Sequence, residues 1–266
     1  MAAVFDGQNT PVSTGECRRG HHPRQLATVS GLTTVNRRTV DRPDMRIALL
    51  GGTGDIGQGL ALRWARDTDH DLLVGSRDPE RARRRAEAYE TELDGRGVDA
   101  RIQGFENAMA ADRVDVVVLS VPAYHLVDTI EAVADRLDDD TVLVTPAVGM
   151  KRDADGFHYN RPDAGSVAAL AADAAPAAVP VVGAFHNLPA DGLADLDREF
   201  EWDTLVFGED ADAKAVVADL ADGIEGLRAL DVGGLANAPE VEAVTPLLIN
   251  VAMDNEGLAD LGVRFE

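Results

Sequence analysis

The sequence predicts an α/β fold, a doubly wound, mostly parallel sheet with a smaller C-terminal α/β portion. Three observations predict it. A short apolar run at 47–50 leads into Gly51, Gly52, Gly54 and Gly57, after which Leu60, Ala61 and Trp64 recur at helical spacing. That order reads as strand, glycine turn, helix. Residues 114–121 form an almost unbroken β-branched run, as expected of a central parallel strand buried on both faces. Around these two stretches, short apolar runs alternate with helical patterns, the signature of β–α–β units.

The elements follow in order. Residues 1–44 hold six arginines and four acidic residues, a local +2, while 45–266 carry 19 basic and 43 acidic, or −24. The segment lacks periodicity and reads as a disordered extension. It is either a functional tail or the product of a start set upstream of Met45. The pairs Arg18-Arg19 and Arg37-Arg38 precede no apolar stretch, which argues against an export signal. A second strand spans 71–75, closed by Ser76, Arg77, Asp78 and Pro79, with a helix from Glu80. A short strand at 101–104 and a helix at 106–111 come next. The 114–121 strand ends at Pro122, a helix spans 126–137, and a strand covers 141–145 before Pro146, Ala147, Val148 and Gly149. A helix at 166–175 leads to a strand at 179–184. Beyond it, 204–208 reads as strand, 211–220 as helix and 227–232 as strand, and an apolar helix covers 245–253.

Composition excludes several function classes. The 25 basic and 47 acidic residues give a net charge of −22, a surface that repels nucleic acid and anionic membranes. Only Lys151 and Lys214 are lysines. An Asp-rich, Lys-poor surface points to a halophilic protein, since in molar salt the Debye length is roughly 3 Å and self-repulsion is screened. The alternative is an ordinary acidic protein. Cys17, the single cysteine, can form neither an internal disulfide nor a thiolate metal site. No apolar run approaches membrane-spanning length. The expected location is the cytoplasm, and no His, Cys or carboxylate cluster has metal-ligand spacing, so no metal is expected.

Gly52, Gly54 and Gly57 satisfy G-x-G-x-x-G between a strand and a helix, the context that gives the pattern meaning. Such glycines permit a tight turn, a close approach to pyrophosphate and close helix packing. The unpaired N–H groups of the new helix then hold phosphate. At the end of the second strand, NAD-binding chains place an acidic residue on the ribose 2′-hydroxyl. Here Ser76 and Arg77 stand there, with Arg81 one turn on. A hydroxyl and guanidinium groups suit a 2′-phosphate, so the expected cofactor is NADP. Arg83, Arg84 and Arg85 read as a solvated face. The loops at 120–125, 146–149 and 185–190 should lie at the carboxyl end of the sheet, where ligands of open α/β sheets bind. Tyr124, His125 and His186 are their notable side chains, and His186 is a candidate ligand contact.

Residues 45–266 resemble the F420-dependent NADP reductases. The resemblance rests on the glycine stretch at 45–63 and Val-Gly-Ser-Arg at 74–77. It continues with Lys-Arg-Asp-Ala-Asp-Gly-Phe-His-Tyr at 151–159 and His-Asn-Leu-Pro-Ala at 186–190, then Gly-Leu-Arg-Ala-Leu-Asp-Val-Gly at 226–233 and Glu-Ala-Val-Thr-Pro-Leu-Leu-Ile-Asn at 242–250. It implies a Rossmann-type, NADP-binding domain over 45–190. A smaller C-terminal α/β domain over 191–266 then completes the deazaflavin cleft. The activity implied is reversible hydride transfer between C4 of the nicotinamide and C5 of the deazaflavin coenzyme F420. It implies phosphate contacts from Thr53, Gly54, Asp55 and Ile56, and a 2′-phosphate site at Ser76, Arg77 and Arg81. Further cofactor contacts are implied at Val121, Val148 and Ala190. Arg81 stands where a lysine is common, and the 44-residue extension has no counterpart.

Hydride transfer needs no nucleophile or metal, so no catalytic residue is expected; positioning of the two rings is the mechanism. Other readings are a short-chain dehydrogenase, a non-catalytic NADP(H) sensor and a Rossmann reductase using a different acceptor. A short-chain dehydrogenase needs Tyr-x-x-x-Lys, but Tyr89, Tyr124 and Tyr159 are followed four residues on by Leu93, Asp128 and Asp163. A non-catalytic NADP(H) sensor would bind without turnover. The apolar 245–253 helix predicts a homodimer contact.

Overall fold

Alternate residues of the first strand face opposite layers, and this sets the architecture. In β1 (Arg46–Leu50), Ile47 and Leu49 enter one apolar core while Ala48 and Leu50 enter another. A strand with period-2 side chains and both faces apolar must be covered twice. The computed structural model describes residues 44–266. The expectations for the N-terminal extension and Cys17 lie outside the described residues.

The first core is closed by α1 (Asp55–Asp67), α2 (Pro79–Asp94), α6 (Ala190–Ala194) and α7 (Ala211–Asp222). The second is closed by α3 (Asn107–Ala110), α4 (Leu126–Val133) and α5 (Val167–Ala174). Between the layers run β2 (Asp71–Ser76), β3 (Ile102–Glu106), β4 (Val116–Leu119), β5 (Val142–Thr145), β8 (Val181–Gly183), β9 (Trp202–Gly208) and β10 (Leu227–Asp231). With β1 they form an eight-stranded sheet of order β10-β9-β8-β5-β4-β1-β2-β3. The pairings from β3 through β8 are all parallel. The chain order reverses between β1 and β4, which makes the crevice above them the switch point of the sheet.

The sheet continues through residue 190. Antiparallel pairing of Val182 with Gly208 and Gly183 with Phe207 joins β9 to β8, and β10 then adds in parallel to β9. The C-terminal portion is therefore an extension of the same sheet with its strands reversed. Because β9 is reversed, its amino end lies beside the carboxyl end of β8. There Phe185 N–H donates to Thr204 Oγ1 at 2.8 Å, and Asn187 Nδ2 donates to the Asp203 carbonyl at 2.7 Å.

Two elements were not legible as such. A hairpin of β6 (Met150–Asp153) and β7 (Gly156–Tyr159) stands apart from the main sheet. Its strands are short, β6 exposed and β7 half-buried along its whole length, so no apolar alternation announces them. The expected helix at 126–137 keeps its α form only to Val133 and finishes as a 3₁₀ turn over Ala134–Arg136. The C-terminal apolar stretch forms α9 (Val244–Asp254), preceded by α8 (Ala238–Glu242). No helix of the described residues is long and apolar enough to cross a membrane.

Candidate functional site

The glycine turn is held from beneath by side chains of two other segments. Ser120 Oγ, just past β4, donates to the Leu50 carbonyl at 3.1 Å, and Tyr89 of α2 donates to the Gly52 carbonyl at 2.9 Å. Burial pushes the Tyr89 phenol up to about 12, which keeps it a donor. A Cβ on Gly57 would stand 2.6 Å from Gly52 Cα and 2.9 Å from Ser120 Oγ, so only glycine lets α1 start this close to the turn. At Gly54 the constraint is different. Its nearest obstacle would be the Gly51 carbonyl at 3.5 Å, so the space above it is open to a ligand.

The start of α1 is left unpaired. Its N-cap, Gly54, has no side chain to offer, whereas α2 and α7 are capped by Asp78 and Asp210. Gln58 N–H is the first to reach back to the turn, at 2.9 Å to the Gly54 carbonyl. The amides of Asp55, Ile56 and Gly57 thus precede the helical ladder, and orphan N–H groups with the positive end of the dipole form an anion site. Thr53 and Gly57 are buried, Gly54 and Ile56 half-buried, and Asp55 exposed. The exposed Asp55 carboxylate leaves only the backbone N–H of that residue aimed at the turn.

At the end of β2, Ser76 is buried and its Oγ accepts from Asp78 N–H at 3.2 Å, leaving the hydroxyl proton free to donate. Arg77 and Arg81 are exposed, and neither forms an ion pair with a described residue. Two acids, Asp78 and Glu80, lie between them, and Glu80 pairs with Arg83. Asp78 is the helix cap. Its carboxylate is engaged by Glu80 and Arg81 N–H groups at 3.0 and 3.2 Å, capping α2. The result is a local cluster of unpaired cations on a strongly acidic molecule.

The far side of the crevice is built from the other carboxyl-end loops. Val121, Val148 and Ala190 are all half-buried. Tyr124 is 80% exposed, with His125 4.5 Å away between ring centroids. His186 lies inside the loop rather than on its surface. Only 3% of it is exposed, its ring stacks on Phe207 with centroids 5.3 Å apart, and neither ring nitrogen has a partner. Burial lowers its pKa to about 3, so the ring is neutral. The loop reaches the crevice through its backbone and through Ala190, while the imidazole faces the core. Sequence reasoning missed Tyr89 and the Ser120 hydroxyl as supports of the turn. Tyr89 carried a signal, since it shares the apolar stripe of α2 with Ala82, Ala86 and Leu93.

A glycine turn at the switch point, an uncapped helix start and a Ser–Arg pair ending the second strand define a Rossmann-type α/β protein. Residues 46–149 match the family model described as NADP oxidoreductase, coenzyme F420-dependent. Over 212 residues, 78% of this chain, it is 41% identical to an F420-dependent NADP reductase of Methanocaldococcus jannaschii, covering 92% of that protein. A second F420-dependent NADP reductase, from Methanothermobacter thermautotrophicus, is 38% identical over 223 residues, 83% of this chain and 94% of the relative. The chain belongs to the F420-dependent NADP reductase family. Its fold is also that of a candidate F420-dependent NADP-reductase from Arthrobacter sp. FB24, with a TM-score of 0.69, 24% identity and coverage of 84% of this chain and 99% of that one. A pyrroline-5-carboxylate reductase from Coxiella burnetii, at TM-score 0.55 and 16% identity, shares the fold over 80% of this chain and 68% of its own.

Proposed function

We propose that this protein transfers a hydride reversibly between NADP(H) and coenzyme F420. The observation that carries the reading is the near-complete coverage of two F420-dependent NADP reductases at 38–41% identity. The site agrees with it at two points along a dinucleotide, its central pyrophosphate and its adenosine ribose. Amides of residues 53–57 suit the pyrophosphate, and Ser76, Arg77 and Arg81 suit a 2′-phosphate. A guanidinium offers a planar, bidentate fork to that group, and the strand end lacks a carboxylate that would take a bare ribose.

The nicotinamide supplies a hydride from C4 and the deazaflavin receives it at C5. The chain's own residues bind, orient and exclude water. Val121, Val148 and Ala190 offer small apolar surfaces and backbone groups around the crevice. Holding two rings in near-attack contact accounts for a large share of such a barrier. The reduction also places one proton on the deazaflavin, at N1, which solvent supplies, so no side chain is assigned a catalytic role.

The decisive experiment follows the absorbance of oxidised F420 at its 420 nm band with purified protein and NADPH in molar KCl, with NADH in parallel. A fall with NADPH alone establishes both the reaction and the NADP preference. Tight NADPH binding without any fall would rule the reaction out.

The working unit is a homodimer in the cytoplasm of a halophile. Support for the dimer comes from α9, where Leu247 and Val251 are 59% and 36% exposed, one helical turn apart, and Pro246 is its only buried residue. Light scattering in molar salt that gives the monomer mass at micromolar concentration would overturn this. The acidic surface predicts that lowering KCl loosens the fold through self-repulsion.

A further inference from the structure

Glu242 is a fully buried carboxylate that hydride transfer does not use. It sits at the end of α8 with no exposed surface and accepts three hydrogen bonds. Tyr159 OH donates to Oε2 at 2.8 Å, Val167 N–H to Oε2 at 3.0 Å and Ala168 N–H to Oε1 at 3.0 Å. The donors come from two elements, the last residue of β7 and the first turn of α5. Burying an ionised carboxylate costs several kcal/mol unless its oxygens are satisfied, and here the N-terminus of α5 adds a favourable dipole. Burial raises the Glu242 pKa and the three donors pull it back. The same contact, acting on its partner, pushes the Tyr159 phenol well above its ordinary range after burial.

Gly149, the end of the 146–149 loop, lies against both tethered elements. Gly149 carbonyl accepts from Asn160 N–H at 2.8 Å, one residue past Tyr159. A Cβ on Gly149 would meet the Asn160 carbonyl at 2.4 Å and Val167 Cγ2 at 3.5 Å. The loop end is therefore wedged between the hairpin return and the start of α5, the two pieces that Glu242 ties together. The hairpin has a second anchor on the same helical segment. Asn250 of α9 accepts from Phe157 N–H at 2.8 Å and donates to the Phe157 carbonyl at 2.7 Å, as a neighbouring strand would.

We propose that Glu242 is a positioning residue for hydride transfer, which, through Tyr159, Val167 and Ala168, clamps the loop carrying Val148 against the crevice. This rests on the reading that the crevice holds the nicotinamide and deazaflavin rings. The 2′-phosphate and pyrophosphate sites stand on the other side of the switch point and do not depend on the clamp. Removing it therefore separates chemistry from NADPH affinity.

Two variants test this. Glu242→Gln keeps the size but leaves one acceptor oxygen for three donors and turns an NH₂ toward an N–H or O–H. Tyr159→Phe removes a single donor and leaves both α5 contacts, so it folds even if the first variant does not. Single-turnover hydride transfer from NADPH to F420 should slow at least about tenfold in Glu242→Gln and severalfold in Tyr159→Phe, and the double variant should be no slower than Glu242→Gln. The Kd for NADPH should stay near the wild-type value in all three. Hydrogen exchange at the amides of Ala147, Val148 and Gly149, measured without any acceptor, should accelerate in both single variants. Wild-type transfer rates in folded Tyr159→Phe and Glu242→Gln, or unchanged exchange in that loop, would overturn the proposal. So would a loss of rate and NADPH affinity in equal proportion, which marks simple loss of folded protein. A wild-type protein that does not reduce F420 would instead remove the proposed reaction, and the exchange measurement would still decide whether Glu242 clamps the loop.

Discussion

The Arg63 guanidinium, midway along α1, donates from Nε to the Leu193 carbonyl of α6 at 2.9 Å. Its Nη2 reaches the carbonyls of Arg198 at 3.0 Å and Gly192 at 3.4 Å, with a further short contact to that of Asp195. Arg63 is 1% exposed, and its partners are carbonyls rather than a carboxylate. It caps the C-terminal end of α6, where a cation complements the orphan carbonyls and the dipole. Gly59 permits the approach, since a Cβ there would stand 2.6 Å from Leu193 Cβ. The helix that begins at the glycine turn is thus bonded to the helix that begins at Ala190, and the two banks of the crevice are tied.

Arg63→Met keeps much of the apolar stem but orphans several buried carbonyls, each costing about 1–3 kcal/mol. We expect a total loss of at least ~3 kcal/mol in urea unfolding, with weakened NADPH binding in the folded fraction. A variant as stable as wild type would show that water replaces the guanidinium.

Arg77→Ala should separate the two nicotinamide cofactors. A hydrogen-bonded charge pair contributes about 1.5–3 kcal/mol, so the Kd for NADPH should rise roughly 10- to 150-fold while that for NADH changes little. Isothermal titration measures both. Equal losses for the two would remove the 2′-phosphate assignment.

His186 predicts a pH dependence of stability. Its folded pKa lies at about 3, below the ordinary 6.5, because the ring is desolvated. The unfolded chain therefore takes up a proton that the folded one does not, and stability falls as pH drops from about 6.5 toward 3. The slope contributed approaches ~1.4 kcal/mol per pH unit. His186→Phe, which preserves the stack on Phe207, should flatten the unfolding free energy measured between pH 7 and 4. An unaltered profile would contradict the buried, neutral ring.

A final prediction concerns the C-terminal strap. Asp203, fully buried, accepts from Arg228 Nε and Nη2 at 2.7 and 2.8 Å and from Phe265 N–H at 2.6 Å. Its own N–H donates to the Val263 carbonyl at 2.7 Å, so the end of the chain runs beside β9 beyond the limit of β8. The Arg228 hydrogen bonds hold the carboxyl below its ordinary value of 3.8. The stabilisation is present above that value and is lost as pH falls through the lower folded one. Asp203→Asn should free the strap at neutral pH, read as faster carboxypeptidase trimming of residues 259–266. Trimming at the wild-type rate would show that the Val263 backbone bond and Gly262, packed on Trp202, hold the strap unaided.

Much of this was legible where the signal is local. The strand, turn and helix at 46–67 follow from a run of apolar residues, glycine spacing and helical period, and the family resemblance rests on contiguous stretches. The burial of the central strand on both faces was legible in the β-branched run at 114–121. Less was legible where neighbours are distant in the chain. The sequence places His186 in a carboxyl-end loop but does not show that its ring stacks on Phe207, next to Phe185 at φ 66°. Glu242 in a short helix looks like any surface acid until Tyr159, 83 residues earlier, is found against it.

The sequence by itself determined the α/β class, the position of the glycine turn and the serine–arginine pair that ends the second strand. These depend on periodicity and on residue types adjacent along the chain. Tertiary structure decided the antiparallel entry of β9, the hairpin, the burial of His186 and the partners of Arg63, Asp203 and Glu242. Each of these is a hydrogen-bond account settled between elements: a buried polar group must find a partner or lose its hydration uncompensated. Which partner it finds depends on how the layers close.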